Sequence, residues 1–185
     1  MKCVKGLFLL AVCFFAFTSV AGEDFYVKSD IRCENEICYL KENNELLDGE
    51  FRKYNLKGNI WLTEEYKDGI KHGEQKYFYN SGNVKSMSFF KNGKKNGVDR
   101  EFYENGKIKE EKEYNEGVLD GFFRKYYENG KMKEECSYDN DVKDGRCRTY
   151  YEKGGLKTDV IYEKGEVINS YCITERGRRS FCEAK

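Results

Sequence analysis

Two columns of side chains suited to recognition run through this chain at a spacing of 24 residues. Arg52, Lys76, Arg100, Arg124 and Arg148 form a basic column, and Tyr79, Tyr103, Tyr127 and Tyr151 an aromatic one. A guanidinium presents a planar fork of donors to a carboxylate, and a tyrosine ring presents a broad apolar face with a polar tip. Arginine and aromatics dominate binding energy where they sit centrally in an interface. Tyr79, Tyr103, Tyr127 and Tyr151, beside Arg100, Arg124 and Arg148, are therefore the candidate binding residues. Each column also has a structural reading. The bases form half of a charge ladder if acids lie across from them, and the rings hold neighbouring units together if their area is buried.

Catalytic chemistry lacks its parts. His72 is the one histidine, so Ser–His and Cys–His pairs would both depend on it, and no supporting motif surrounds it. It fills a slot held in the other copies by Asp48, Asn96, Asp120 and Asp144, which reads as a turn position. The abundant carboxylates recur with the period, which argues for a repeated structural role over a unique acid pair. The glycines follow a strand period and form no phosphate-cradling loop before a helix. With no CxxC pair and a single histidine, neither a metal nor a cofactor is expected. The expectation is no enzyme.

What positions these columns is a repeat. Gly49, Gly73, Gly97, Gly121 and Gly145 set the period, and a second glycine follows nine residues on at Gly58, Gly82, Gly106, Gly130 and Gly154. A third set, Gly69, Gly93, Gly117 and Gly165, has Asp141 in the remaining copy. Aromatics recur at Tyr54, Phe78, Phe102, Tyr126 and Tyr150, and at Tyr66, Phe90, Tyr114, Tyr138 and Tyr162. Turn signals about 12 residues apart leave room for strands of ~5–6 residues and not for helices. In the third copy the expected strands are 98–103 and 107–114, joined by a tight Asn105-Gly106 turn, with a second turn running from Asn115 to Gly121. Placing Tyr103 opposite Ile108 sets Arg100 against Glu111, Arg124 against Glu135 and Arg148 against Asp159. The same spacing sets Cys136 against Cys147. The predicted fold is all-β: an elongated, single-layer antiparallel hairpin meander with short terminal caps.

Residues 48–167 hold the five copies, 22–47 an N-terminal cap and 168–185 a C-terminal hairpin cap. Residues 1–21 read as a signal peptide, basic at Lys2 and Lys5 and apolar over 7–20, with cleavage after Ala21. A lipid anchor at Cys13 is the alternative, and the location expected is secreted, periplasmic or cell-surface. Removing the leader takes Lys2 and Lys5 from 33 basic residues and leaves 31 against 33 acidic ones. That balance supplies no long-range field for nucleic acid or an anionic membrane. Six cysteines then remain, and the preferred pairing is local: Cys33–Cys38, Cys136–Cys147 and Cys172–Cys182.

The unit Asp120-Gly121-Phe122-Phe123-Arg124-Lys125-Tyr126-Tyr127-Glu128-Asn129-Gly130-Lys131-Met132-Lys133-Glu134-Glu135, closing on Tyr138, resembles the bacterial variant of the MORN repeat. The resemblance spans about residues 48–167. It implies elongated β-hairpin sheets, and many such proteins are labelled as antitoxins. The functional expectation is an exported, non-enzymatic scaffold for another protein, a toxin or a surface partner, with a glycan or cell-wall surface as the alternative.

Overall fold

The computed structural model describes residues 25–27 and 30–182. The leader at 1–21, its cleavage after Ala21 and the anchor alternative at Cys13 lie outside the described residues. All regular elements described are strands. They are β1 (Phe25–Val27), β2 (Ile31–Glu34), β3 (Ile37–Leu40), β4 (Gly49–Tyr54), β5 (Ile60–Lys67) and β6 (Ile70–Phe78). Next come β7 (Val84–Lys91), β8 (Lys94–Lys95), β9 (Gly97–Phe102), β10 (Ile108–Asn115) and β11 (Val118–Tyr126). The chain closes with β12 (Met132–Asp139), β13 (Val142–Tyr150), β14 (Leu156–Glu163), β15 (Glu166–Ile173) and β16 (Arg179–Phe181).

One sheet runs in chain order from β4 to β16, with the short β8 beside β7 and β1 added outside β4; β2 and β3 form a separate hairpin. Pairing is antiparallel throughout the meander, and only β1 departs from it by lying parallel to β4. Extended strand contacts join only neighbours in the sheet, so each hairpin rests on the one before and the one after.

Turn chemistry differs from the sequence expectation at both ends of the hairpin. The Asn-Gly turn is a three-residue loop: Gly106 N–H donates to Tyr103 O at 2.9 Å, Tyr103 N–H to Lys107 O at 2.8 Å, and Asn105 Oδ1 accepts from Lys107 N–H at 3.0 Å. The two-residue turn lies at the opposite rim, at Glu116-Gly117, where φ is 49° and 93°. Two successive left-handed residues match the right-handed strand twist, which is why this tighter turn works without Asn-Gly. Asp120-Gly121 is no turn. Both lie inside β11, where the pairing with β10 is bulged, and His72-Gly73 lies likewise inside β6. Gly121 has φ 127°, and a Cβ there would collide with the Glu113 side chain, so the glycine column marks a strand bend.

Register follows the predicted charge pairs with one local correction. Arg100 faces Glu111, Arg124 faces Glu135, Arg148 faces Asp159 and Cys136 faces Cys147. Ile108, however, faces Phe102 and not Tyr103, because the ladder shifts by one residue between Ile108 and Glu110. The bulge absorbs the odd residue of the loop, and the pairs beyond it fall where the spacing placed them.

Successive units are zipped at both rims. On one rim the turn amides reach back: Gly93 N–H donates to Lys71 O, Gly117 to Lys95 O, Asp141 to Leu119 O and Gly165 to Lys143 O, at 2.7–2.9 Å. On the other, Tyr79 Oη donates to Phe102 O at 2.6 Å. Tyr103, Tyr127 and Tyr151 repeat that bond to Tyr126 O, Tyr150 O and Ile173 O at 2.8 Å.

Residues two apart along a strand share a face, so the sheet has two distinct sides. Its packed face carries two apolar clusters. Ile31, Cys38, Leu47 and Phe51 gather at the N-terminal end, where Phe51 meets Tyr66 edge to face at 6.5 Å between centroids. Phe123, Cys136 and Cys147 gather towards the C-terminal end, with Tyr138, Val160 and Tyr162 against them. Disulfides Cys33–Cys38, Cys136–Cys147 and Cys172–Cys182 join adjacent strands or their ends. Such bridges persist in an oxidising, extracellular-type environment.

Candidate binding face

The opposite face carries a straight row of directly opposed residues. From β4 to β15 it reads Arg52, Thr63, Lys76, Met87, Arg100, Glu111, Arg124, Glu135, Arg148, Asp159, Tyr171. The basic column therefore meets an acidic column only from Glu111 onwards. Earlier bases face Thr63 and Met87 and find their acids two residues back on their own strands, in the ion pairs Arg52–Glu50 and Lys76–Glu74. The position two before each base thus reads Glu50, Glu74, Val98, Phe122, Arg146. Acid gives way to apolar and then to basic side chains along one column.

Where the acids lie across the strands, they are deeply set. Glu111 and Asp159 are 7 % and 4 % exposed. Arg100 Nε donates to Glu111 Oε1 at 2.9 Å, and Tyr126 Oη donates to Glu111 Oε2 at 2.8 Å. Tyr150 Oη donates to Glu135 Oε1 at 2.6 Å. Burial first, then the hydrogen bond and charge of Glu111, push the Tyr126 phenol up to about 12. Burial and Glu135 raise Tyr150 in the same direction. A phenol bonded to a carboxylate must keep its proton to donate it, so these tyrosines act as fixed donors and not as bases.

Around β11 to β13 the supply of acceptors falls short of the supply of guanidiniums. Arg146 Nε donates to Asp159 Oδ1 at 2.8 Å. Arg148 lies 3.6 Å from both Glu135 and Asp159, and its buried Nε has no hydrogen-bond partner. The guanidinium carbon of Arg124 sits 4.1 Å from the Phe122 ring centroid. Although Arg124 faces Glu135 in register, no ion pair or hydrogen bond joins its guanidinium to any described residue. These side chains, with Glu135 and Ser137, line an open cavity of about 230 Å³.

The candidate residues are thus distributed unevenly. Arg124 and Arg148 share the cavity, whereas Arg100 is two strands away and bonded to Glu111. Tyr79, Tyr103, Tyr127 and Tyr151 line a rim, half-buried, with their hydroxyls committed to the next unit. Arg146 was missed. Its signal was the break it makes in a column that begins with Glu50 and Glu74.

Comparison with known families bears on the repeat itself. Residues 71–92, 95–116 and 119–140 match the model of the MORN repeat variant. Three consecutive units are thus similar to that repeat. The matched MORN repeat is a non-catalytic kind of unit, and the cavity begins in the third matched unit and extends into β13 beyond it. No curated protein matches the chain.

Proposed function

We propose that this protein is an exported, non-enzymatic repeat scaffold that binds another protein across its charged face, in the manner of an antitoxin or immunity protein. The observation that carries this reading is the single layer. Among the described residues no second sheet or helix covers the face that bears Arg100, Arg124 and Arg148, and strands pack only on their sheet neighbours. Such a surface is long, rigid and open, which suits a broad partner better than a small substrate. Three disulfides fit an exported chain.

Affinity capture with the oxidised full-length product tests the reading. The expected result is that the same protein is returned repeatedly from the exported fraction, and that a variant with Arg100, Arg124 and Arg148 all changed to Ala loses it. Repeated return of no protein would overturn it. So would retention of a polysaccharide that depends on Tyr103 and Tyr127. A mature product beginning at Gly22 is expected from N-terminal sequencing.

A further inference from the structure

We propose that Arg124, Arg146 and Arg148 form a receptor for one carboxylate group presented by an acidic segment of a protein partner, with Phe122 as its apolar wall. The inference rests on the protein-binding reading above and specifies its chemistry.

Four observations converge on it. The first is the shortage of acceptors. Arg146 and Arg148 draw on two carboxylates, Glu135 and Asp159, and Glu135 already accepts the Tyr150 hydroxyl. Among the described residues Arg124 has no acceptor, and the sealed Nε of Arg148 lies 3.6 Å from Asp159, too far for a hydrogen bond. That Nε is closed to solvent, so an incoming anion meets the terminal nitrogens of Arg148, whose side chain is 34 % exposed.

Preorganisation is the second. Arg124 rests at 4.1 Å on the Phe122 ring, and all five donors of a guanidinium lie on its edge, so stacking leaves them available. Arg146 is anchored by its bond to Asp159. The strands beneath are held by Cys136–Cys147 on the reverse side of the sheet. A fork fixed before binding loses little entropy on meeting a carboxylate.

Size is the third. A cavity of about 230 Å³ is smaller than the ~300–1,000 Å³ common for cofactor and small-molecule sites. It suits the end of one side chain or of one chain terminus.

Charge is the fourth. Three arginines against two acids leave a surplus of one positive charge, which one carboxylate neutralises and a dianionic phosphate overshoots. The whole chain, with 33 basic and 33 acidic residues, has no field that would gather an anionic membrane. The sites of the earlier bases also differ, since Arg52, Lys76 and Arg100 each have an acid of their own.

The test is a titration of the oxidised full-length protein, followed by the arginine Nε–Hε signals in NMR. The probes are N-acetyl-glycyl-leucyl-glutamyl-glycinamide, its glutaminyl counterpart, and N-acetyl-glycyl-glycyl-leucyl-glycine with a free C-terminus. The expected result is that the glutamyl or the free-terminus peptide binds at least tenfold more tightly than the neutral one and shifts the Arg124 signal. Whichever of those two binds better identifies a side-chain or a terminal carboxylate as the source. Arg124→Gln should lose at least tenfold in Kd, Arg124→Lys should fall between, and Arg32→Gln, on the separate β2–β3 hairpin, should stay within twofold. Arg124 bridges to no carboxylate among the described residues and gives up only its stacking on Phe122, so Arg124→Gln should melt within about 4 °C of wild type, and its binding loss at a temperature where both are folded then reports the site.

Equal binding of neutral and charged peptides would overturn the proposal. So would an unchanged Arg124→Gln, or preference for inorganic phosphate or phosphatidylserine vesicles over both carboxylates. A protein partner captured equally by wild type and Arg124→Gln removes this inference and leaves the scaffold reading in place. Carboxylate binding at Arg124 with no protein partner ever captured does the reverse.

Discussion

The middle of the sheet and its C-terminal hairpins fill the same central row of the packed face with opposite chemistry. Between β5 and β9 the row is polar: Glu64 opposes Gln75, Gln75 opposes Ser88, and Asp99 follows on β9. Glu64 accepts from Lys71 Nζ and Gln75 Nε2, each at 2.5 Å, and Ser88 Oγ donates to Asp99 at 2.9 Å, with Lys95 also paired to Asp99. From β11 to β14 the row becomes Phe123, Cys136, Cys147 and Val160. A single layer can thus be closed by a satisfied hydrogen-bond network or by apolar area and a crosslink. The second leaves no polar group to satisfy and holds its strands independently of direction. The arginine cleft lies on the reverse of that second kind of row, where a crosslink ties β12 to β13.

The largest expected effect breaks the C-terminal solution directly. Replacing Cys136 and Cys147 together by Ala opens a crosslink between residues 11 apart. Loops of about that size contribute roughly 3 kcal/mol, so chemical denaturation should show a loss near that figure. Loss of less than about 1 kcal/mol would mean that apolar packing alone ties these strands. Next comes the contrast of Phe123→Ala with Ser88→Ala, two buried positions in the same row. The first should cost about 3 kcal/mol through lost area and a cavity, and the second about 1 kcal/mol through one hydrogen bond. Equal costs would erase the distinction between the two regions.

The rims sharpen the comparison from the other side, because the tyrosine bond between units is the same from Tyr79 to Tyr151. Tyr103→Phe and Tyr127→Phe each remove one bond to the next unit. They should cost about the same, roughly 1 kcal/mol, in the middle and at the C-terminal hairpins alike. The smallest effect is a pH dependence. Tyr126 has its folded pKa raised from 10.0 to about 12, so the unfolded chain releases this proton first. Stability from this group is complete below about pH 10 and declines as pH rises towards 12. In Tyr126→Phe that part of the alkaline decline should be absent from pH-dependent melting curves. An unaltered decline would assign it to other groups.

The periodic columns make most of the architecture legible in the sequence alone. Fixed spacing between the bases, the acids and the cysteines sets one register, and antiparallel geometry enforces it because a one-residue slip would turn every side chain to the other face. The turns are less legible. Asn105-Gly106 suits a two-residue turn by composition, yet the loop takes three residues and a bulge compensates for it. Glu116-Gly117 carries no such signature and forms the tighter turn. Local propensity is overruled there by the stacking of each turn amide on the carbonyl of the unit before. Arg146 is hidden for a different reason: nothing in its own neighbourhood distinguishes it, and only the column beginning at Glu50 exposes the change.

By itself, the sequence determined the number and order of hairpins, which strands neighbour which, and the pairing of cysteine with cysteine. Those properties depend on spacing along the chain, and spacing is a one-dimensional quantity. The tertiary structure decided which carboxylate serves which base, that the tyrosine hydroxyls fasten the rim, and that Arg124 is left with an aromatic ring for company. Competition among side chains for a shared acceptor depends on distances of an ångström or less across three strands, and no spacing rule resolves that.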